Sequence, residues 1–360
     1  MTGIEIAIVC TTLFTVVGTL LALLKTEHWL IRQFDFPRLQ FAGLALITMV
    51  PAVWFLDATV WWHHLVLLSL AAVVLYQSYR IFPYTPFAPK SVKHAERSTD
   101  PDNSIALLVS NVLQPNHGAD KLLAHIETMD PDIIITLESD SWWEKSLSSL
   151  EERYPYMVKV PQDNLYGMHL YSRLKLIEPE VQYLIDDEYP SIETGVELGS
   201  GTRLRFFAVH PPPPSPTEAE TSTERDGELL TVGRRIEGNA KATLIAGDLN
   251  DVAWSDTTRL FRDVSGLLDP RVGRGFFNTF HASIPFLRWP LDHVFVSPEF
   301  RVIKMERLGS IGSDHFPIYA KFSYEPEGSD SQDPPEASRE EEEEATDKIE
   351  RANGDQDRAD

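Results

Sequence analysis

Thr243-Leu-Ile-Ala-Gly-Asp-Leu-Asn250 is the stretch that decides how this chain folds. It opens with short apolar residues suited to a buried strand and ends on a carboxylate and an amide. A strand that stops on Gly-Asp-x-Asn carries polar side chains to the edge of a sheet, where clefts form. Gly, Asp and Asn are also ordinary turn residues, so taken alone the segment reads as a strand followed by a turn. Its neighbours change that balance.

Upstream, Ile105-Ala-Leu-Leu-Val-Ser110 has the pattern of a buried strand and ends at Asn111. Asp132-Ile-Ile-Ile-Thr-Leu137 repeats it and ends at Glu138. Between them, Asp120 to Met129 spaces Leu122, Leu123 and Ile126 as a helix does. Further strands are predicted at 166–172, 192–198, 202–209, 243–247, 292–296 and 316–323, with the run Pro211–Pro214 stopping the third of these. Four strands end in side chains of a catalytic type: Ser110-Asn111, Leu137-Glu138, Val209-His210 and Gly247-Asp-Leu-Asn250. Leu291-Asp292-His293 and Ser313-Asp314-His315 add two more. One such ending is an ordinary cap. Six, with Asn, Glu, His and Asp among them, point to a hydrolytic metal site.

The chain before this region is of another kind. Residues 6–24, 39–56 and 58–79 are uncharged, and a bilayer takes about 20 apolar residues to cross. Pro51 predicts a kink, Trp61 and Trp62 suit an interface, and only Asp57 separates the second and third runs. A signal peptide would carry basic residues before the first run, and there are none. Three membrane helices are therefore predicted within residues 1–81. The loop 25–38 holds Lys25, Arg32 and Arg38, and the segment after the third run holds Arg80, Lys90, Lys93 and Arg97. That bias predicts an integral protein of the cell inner membrane with its large C-terminal part in the cytoplasm.

Residues 82–103, with Pro83, Pro86, Pro89 and Pro101, read as a linker to a domain over 104–324. Residues 325–360 carry 15 acids against 4 basic residues, including an unbroken Glu340–Glu344, and read as a disordered acidic tail. The net charge is −22, of which the tail supplies −11 and residues 1–101 almost nothing. The central domain is therefore acidic as well, which argues against a broad electrostatic grip on nucleic acid. The lone Cys10 excludes a disulfide framework and a cysteine metal site.

The order Asn111, Glu138, His210, Gly247-Asp248-Leu249-Asn250, Asp292-His293, Ser313-Asp314-His315 resembles the endonuclease/exonuclease/phosphatase superfamily, also called deoxyribonuclease I-like. Ser110-Asn-Val112, His210-Pro211 and Gly312-Ser-Asp-His315 are similar to bacterial members with three N-terminal membrane helices. The resemblance covers about residues 104–324. It implies an α/β (α+β) four-layer sandwich, two packed β-sheets flanked by helices, with the site at one rim. It implies Glu138 as a metal ligand supported by Asn111 and Asp314, and Asp248 as the group that orients and deprotonates water. Asn250 would hold a phosphate oxygen, and His315, its tautomer fixed by Asp292, would donate to the phosphate. His210 would be a second donor. Mg²⁺ suits such a set because it takes oxygen ligands and keeps several waters, with Mn²⁺ an alternative. Val112-Leu113 stands where many nuclease members carry a polar residue two positions after the asparagine.

Other residues have blander readings. His293 points to the face of its strand opposite Asp292 and is predicted to be structural. Trp142 and Trp143 suit a core before a rim near the site, and Trp254 could border the cleft. Arg271, Arg274 and Arg288 either bind an anionic substrate or are merely solvated. His63 and His64, at the start of the third apolar run, suit an interfacial position rather than a metal site, and His117, His125, His169 and His281 lack a second partner at ligand spacing. The predicted function is a membrane-anchored, Mg²⁺-dependent phosphoesterase with a phosphate-ester substrate and the lipid bilayer as partners. A phospholipid or related phosphodiester is favoured over nucleic acid by the acidic body and the anchor. A nuclease acting on DNA or RNA and a non-catalytic, membrane-tethered binding module are the alternatives.

Overall fold

The computed structural model describes residues 1–96, 100–238 and 242–359, with side chains as far as Gly354. Arg97, counted above among the basic residues, lies outside them. The chain begins with α1 (Gly3–Leu21), the single turn α2 (Trp29–Arg32), α3 (Arg38–Phe55) and α4 (Trp61–Ile81). α1, α3 and α4 are long and apolar enough to cross a membrane. Ile8, Ala45, Ala52, Leu70 and Val73 are buried where they meet. Leu13, Ile47, Trp54 and Leu75 remain mostly exposed, an apolar outer face that water solvates poorly. Gln77 of α4 donates to Thr19 of α1 (2.9 Å) and accepts from the buried Arg38 of α3 (3.3 Å), so these polar groups inside the bundle have partners.

The rest of the chain runs β1 (Ser104–Asn111), α5 (Ala119–Met129), β2 (Ile133–Leu137), α6 (Ser141–Ser146), β3 (Tyr156–Val160), β4 (Met168–Ser172), β5 (Lys175–Tyr183), β6 (Pro190–Glu197) and β7 (Arg203–Val209). It continues with α7 (Thr223–Ile236), β8 (Thr243–Asp248), α8 (Asp256–Ser265), β9 (Asp292–Val296), β10 (Phe300–Arg307), β11 (Ile318–Tyr324) and α9 (Arg339–Ala359). One sheet has the order β10-β11-β1-β2-β4-β3 and the other β5-β6-β7-β8-β9. Leu107, Val109, Ile135 and Leu170 of the first meet Phe206, Leu244 and Val294 of the second in the central core. Outside the first sheet, α5 and α6 bring Leu122, Ile126 and Trp143 onto Leu108, Ile134 and Tyr171. Outside the second, α7 and α8 bring Leu229, Phe261 and Val264 onto Phe207, Ile245 and Phe295. This is the expected four-layer sandwich. Strands covered on both faces have no polar side, which is why β1, β2 and β8 read as continuous apolar runs.

Three strands escape the sequence reading: β3, β5 and β10. All three are sheet edges, and half-exposed sequences such as Lys175-Leu-Ile-Glu-Pro-Glu lack the apolar run of a central strand. Residues 82–96 are not a free linker. Val92 is fully buried in the central core, and backbone bonds join Val302 to Lys93 and Ala95 beside β10. The expectation of a disordered tail also needs correction. Gln332 is buried with its amide on Pro298 and Phe300 carbonyls, and α9 packs along α7. Composition hid this because three acids of α9 are matched outside it: Glu341 to Arg259, Glu342 to Arg234 and Glu344 to Lys25. A narrow stripe of Ala345 and Ala352, both fully buried, seats the helix.

Candidate active site

Strand register assembles the site. Asn111 stands opposite Leu137 in the parallel pair β1–β2, so Glu138 follows immediately beside it. Val209 stands opposite Gly247 in the parallel pair β7–β8, which brings His210 beside Asp248. Asp248 in turn faces Asp292 across β8–β9. Gly247 is needed for this approach, because a Cβ there would collide with the Val209 carbonyl. Glu138 and Asn250 both hold positive φ (59° and 51°), a conformation that costs energy for residues other than glycine and that clusters at functional sites.

Asn111 bridges the two sheets. Its Nδ2 donates to Glu138 Oε1 (2.7 Å) and to Asp248 Oδ2 (3.1 Å), and its Oδ1 accepts from the Leu113 amide. His315 Nδ1 donates to Asp292 Oδ2 (2.8 Å), while its Nε2 lies 3.5 Å from Asp248 Oδ2. Ser313 ties this segment down: its hydroxyl donates to the Asn111 carbonyl and accepts from the His315 amide. Asn250 donates its amide to Asp248 Oδ1 and its Nδ2 to the Pro211 carbonyl, and its own carbonyl accepts from the buried Arg225. His210 is buried with Nδ1 unpaired, its ring 5.3 Å from that of Tyr166.

Burial sets the charges. It opposes a positive His315, but Asp292 and Asp248 outweigh it and push the ring up to about 10, so His315 is an imidazolium near neutrality. Burial holds His210 down at about 4, hence neutral. It raises Asp248, against the pull of His315, and lifts Glu138 to about 7 against its bond from Asn111.

A cavity of about 340 Å³ opens over these groups, lined by Glu138, His210, Asn250, Asp314 and His315 with Phe36, Tyr166 and Phe280. Asp248 and Asp292 lie beneath its floor, fully buried. A divalent cation fits at Glu138, whose Oε2 is buried without a partner while Asp314 lines the same cavity. Asn111 presents its amide nitrogen to Glu138, so it would ligate through oxygen only after the amide turns over. Asp248, Asp292 and His315 also offer ligand atoms within 4.8 Å of one another, but the two carboxylates hold the imidazole positive, and a ring protonated on both nitrogens has no lone pair for a metal.

The structure thus brings all eight expected residues to one rim. His293 lies outside the cavity with Nε2 on the Asp251 carbonyl, a structural role. Arg271 is fully buried against Asp269, the half-buried Arg274 and Arg288 donate to backbone carbonyls, and none of the three lines the cavity. Trp254 does not border the cleft. It is buried, and its Nε1 donates to the Asp35 carbonyl of the α2–α3 segment. Phe36, Tyr166 and Phe280 are the lining groups that the sequence did not announce, since single aromatics in loops have no periodicity to mark them.

Residues 108–315 match the model of a family described as Endonuclease/Exonuclease/phosphatase. No curated protein gives a significant match. Among solved structures, D. rerio TDP2 complexed with single strand DNA product superposes with a TM-score of 0.51 at 19% identity, over 61% of this chain and 99% of that one. The human Nocturnin catalytic domain with bound sulfate superposes with a TM-score of 0.50 at 17% identity, over 62% and 95%. Likeness at this identity concerns the fold.

Proposed function

Since the chain belongs to the Endonuclease/Exonuclease/phosphatase family and is a metal-dependent hydrolase of phosphate esters, we propose that it is a membrane-anchored, Mg²⁺-dependent phosphoesterase acting on a phospholipid or related phosphodiester. One observation carries the choice of substrate. Phe36, from the segment between the first two apolar helices, forms part of the wall of the same cavity as Glu138, His210 and His315. The apolar helices and the hydrolase domain therefore share the cleft rather than being joined by a tether. Arg80 at the end of α4 donates to Asp256 and to the Trp254 carbonyl, and Tyr84 donates to the Ala253 carbonyl, which fixes that geometry.

Glu138 and Asp314, with Asn111 after its amide turns, would hold the cation. When bound, the cation screens the phosphate charge and favours attack on phosphorus. Asp248, its carboxylate oriented by the Asn250 amide and Asn111 Nδ2, accepts a proton from the attacking water as the oxygen–phosphorus bond forms. His315, held positive by Asp292, donates to a phosphate oxygen as charge builds there. Neutral His210 and the free N–H of Asn250 hold the remaining oxygens. The ester bond to the leaving oxygen then breaks. The acidic domain and the absence of a long basic insertion weigh against a duplex substrate.

The test uses the full chain reconstituted in vesicles of phosphatidylcholine and phosphatidylglycerol. Phosphorus NMR should show Mg²⁺-dependent loss of lipid phosphodiester, abolished in Asp248→Ala and His315→Ala. Intact lipid alongside Mg²⁺-dependent cleavage of single-stranded DNA would replace this reading with a nuclease. Inactivity on both, and on bis(p-nitrophenyl) phosphate, would favour the binding module. We place the domain on the cytoplasmic side of the inner membrane, which a C-terminal alkaline phosphatase fusion checks by staying inactive.

A further inference from the structure

Between Phe280 and Trp289, joined by a backbone bond from the Phe280 amide (3.0 Å), the chain throws out a loop. Ser283, Ile284, Pro285, Phe286 and Leu287 are exposed in succession. Phe286 is 85% exposed, Leu287 44% and Ile284 41%. Large apolar side chains held side by side in water mark a contact surface, since solvation there is unfavourable. The loop is well anchored at its base. Arg288 donates to the His281 and Ala282 carbonyls, and the Ala282 amide donates to the Asp314 carbonyl (2.6 Å).

Its tip is also tied to the apolar bundle. Gln40 Nε2 donates to the Phe286 carbonyl at 2.8 Å. Gln40 is the third residue of α3, beside Leu39, which is itself 45% exposed. The remaining turns of α3 rise about 1.5 Å per residue, so most of a hydrocarbon core of roughly 30 Å lies beyond Gln40. A helix that spans the bilayer therefore places Gln40 near its headgroup boundary, and Phe286 at the same depth.

We propose that Ser283–Leu287 is an interfacial loop, with Ile284, Phe286 and Leu287 entering the outer acyl region of the leaflet beside α3 and holding the catalytic cavity against it. This rests on the reading of α1, α3 and α4 as membrane spans and gives it a consequence for the site. An apolar path leads from the loop to the chemistry: Phe36 meets Trp289 edge-on (5.5 Å), Trp289 stacks near Phe280 (6.2 Å), and Phe280 lies 5.0 Å from the His315 ring. A phosphate ester with an apolar chain can keep its chain along that path while its phosphate meets His315. Water-soluble esters have no use for it.

The experiment uses the full chain with Cys10→Ser and Phe286→Cys, labelled with an environment-sensitive nitrobenzoxadiazole and reconstituted in phosphatidylcholine/phosphatidylglycerol vesicles. Ser200→Cys, before the start of β7 and so at the strand end away from the site, serves as the aqueous control. The Phe286 label should emit blue-shifted light, be quenched by lipids carrying a nitroxide high on the acyl chain, and resist aqueous Co²⁺. Quenching by Co²⁺ as readily as at Ser200 would overturn the proposal. The same vesicles report lipid turnover independently: intact phosphatidylglycerol with a shielded label would remove that lipid as substrate and leave the loop in the membrane.

Discussion

Asp292 Oδ2 accepts from His315 Nδ1 at 2.8 Å, and the same imidazole turns its Nε2 to Asp248 Oδ2 at 3.5 Å. One ring thus joins two fully buried carboxylates, of which Asp248 also accepts from the amide of Asn250 in the cavity wall. Asp292→Asn keeps the shape but removes one of the two carboxylates that hold His315 positive against burial, so the ring loses part of its hold on the second proton. Turnover of bis(p-nitrophenyl) phosphate should fall by about 10²–10⁴-fold, the usual range for a positioned acid or base. Because the pair acts as a unit, adding His315→Ala to Asp292→Asn should cost little more than either alone. Losses that multiply would separate the two roles.

Glu138 is the group that should report metal. Its carboxyl sits at about 7 without an ion because burial disfavours its charge, and a cation binds only the ionised form. Protons and metal therefore compete, with affinity rising as pH climbs through about 7. Added Mg²⁺ should raise the melting temperature more at pH 8 than at pH 6, following ligand linkage. Glu138→Gln should abolish that shift, and chelation should bring the wild type to the behaviour of the variant. Equal shifts in the two proteins would move the ion elsewhere.

Much of the fold and of the site is legible in the order of residues alone, for physical reasons. A central strand covered on both faces must be apolar throughout, so Leu107 to Val109 and Ile133 to Ile135 announce themselves, and the polar residue that ends each run marks the rim. The edge strand β5 needs only one buried face and offers no such signal. Nor does a sequence announce a partner far along the chain. The docking of Trp254 on Asp35 and of Gln40 on Phe286 joins residues more than two hundred apart, and each alone is an unremarkable polar or aromatic residue. The arginine cluster misled in a related way, since guanidinium groups that look available are spent on Asp269 and on loop carbonyls.

Glu228 gives a stability test remote from the site. Buried in α7 with Ser191 donating to Oε1 and Oε2 unpaired, it is pushed from 4.5 up to about 7 by burial. A raised folded value means that the protonated form is favoured by folding. Its contribution is complete below about 4.5 and is lost as pH rises through about 7, a change on the order of 3 kcal/mol. Glu228→Gln lacks this titration, so its melting temperature should gain on the wild type progressively from pH 5 to pH 8. A constant gap would mean that the carboxyl is already ionised at pH 5.

The C-terminal helix makes the last prediction. Lys348 of α9 reaches Asp226 Oδ2 at 2.6 Å, and Asp226 holds Arg225 through Nη2 (2.8 Å). Arg225 in turn donates to the Asn250 carbonyl at 3.0 Å, at the edge of the catalytic cavity. The cations beside Asp226 hold it well below the usual carboxylate range although burial acts the other way. Removing Lys348 leaves Asp226 buried with one cation fewer, so Lys348→Met should cost about 3 kcal/mol, in the range for breaking a buried pair. α9 packs close because residue 227 is glycine: a Cβ there would strike the Ala352 methyl. Gly227→Ala should therefore loosen α9 without altering any charge. If α9 steadies the Asn250 loop, both variants should lower kcat on bis(p-nitrophenyl) phosphate well below their melting temperatures. If α9 only adds stability, melting should fall in both while kcat measured in the cold stays that of the wild type.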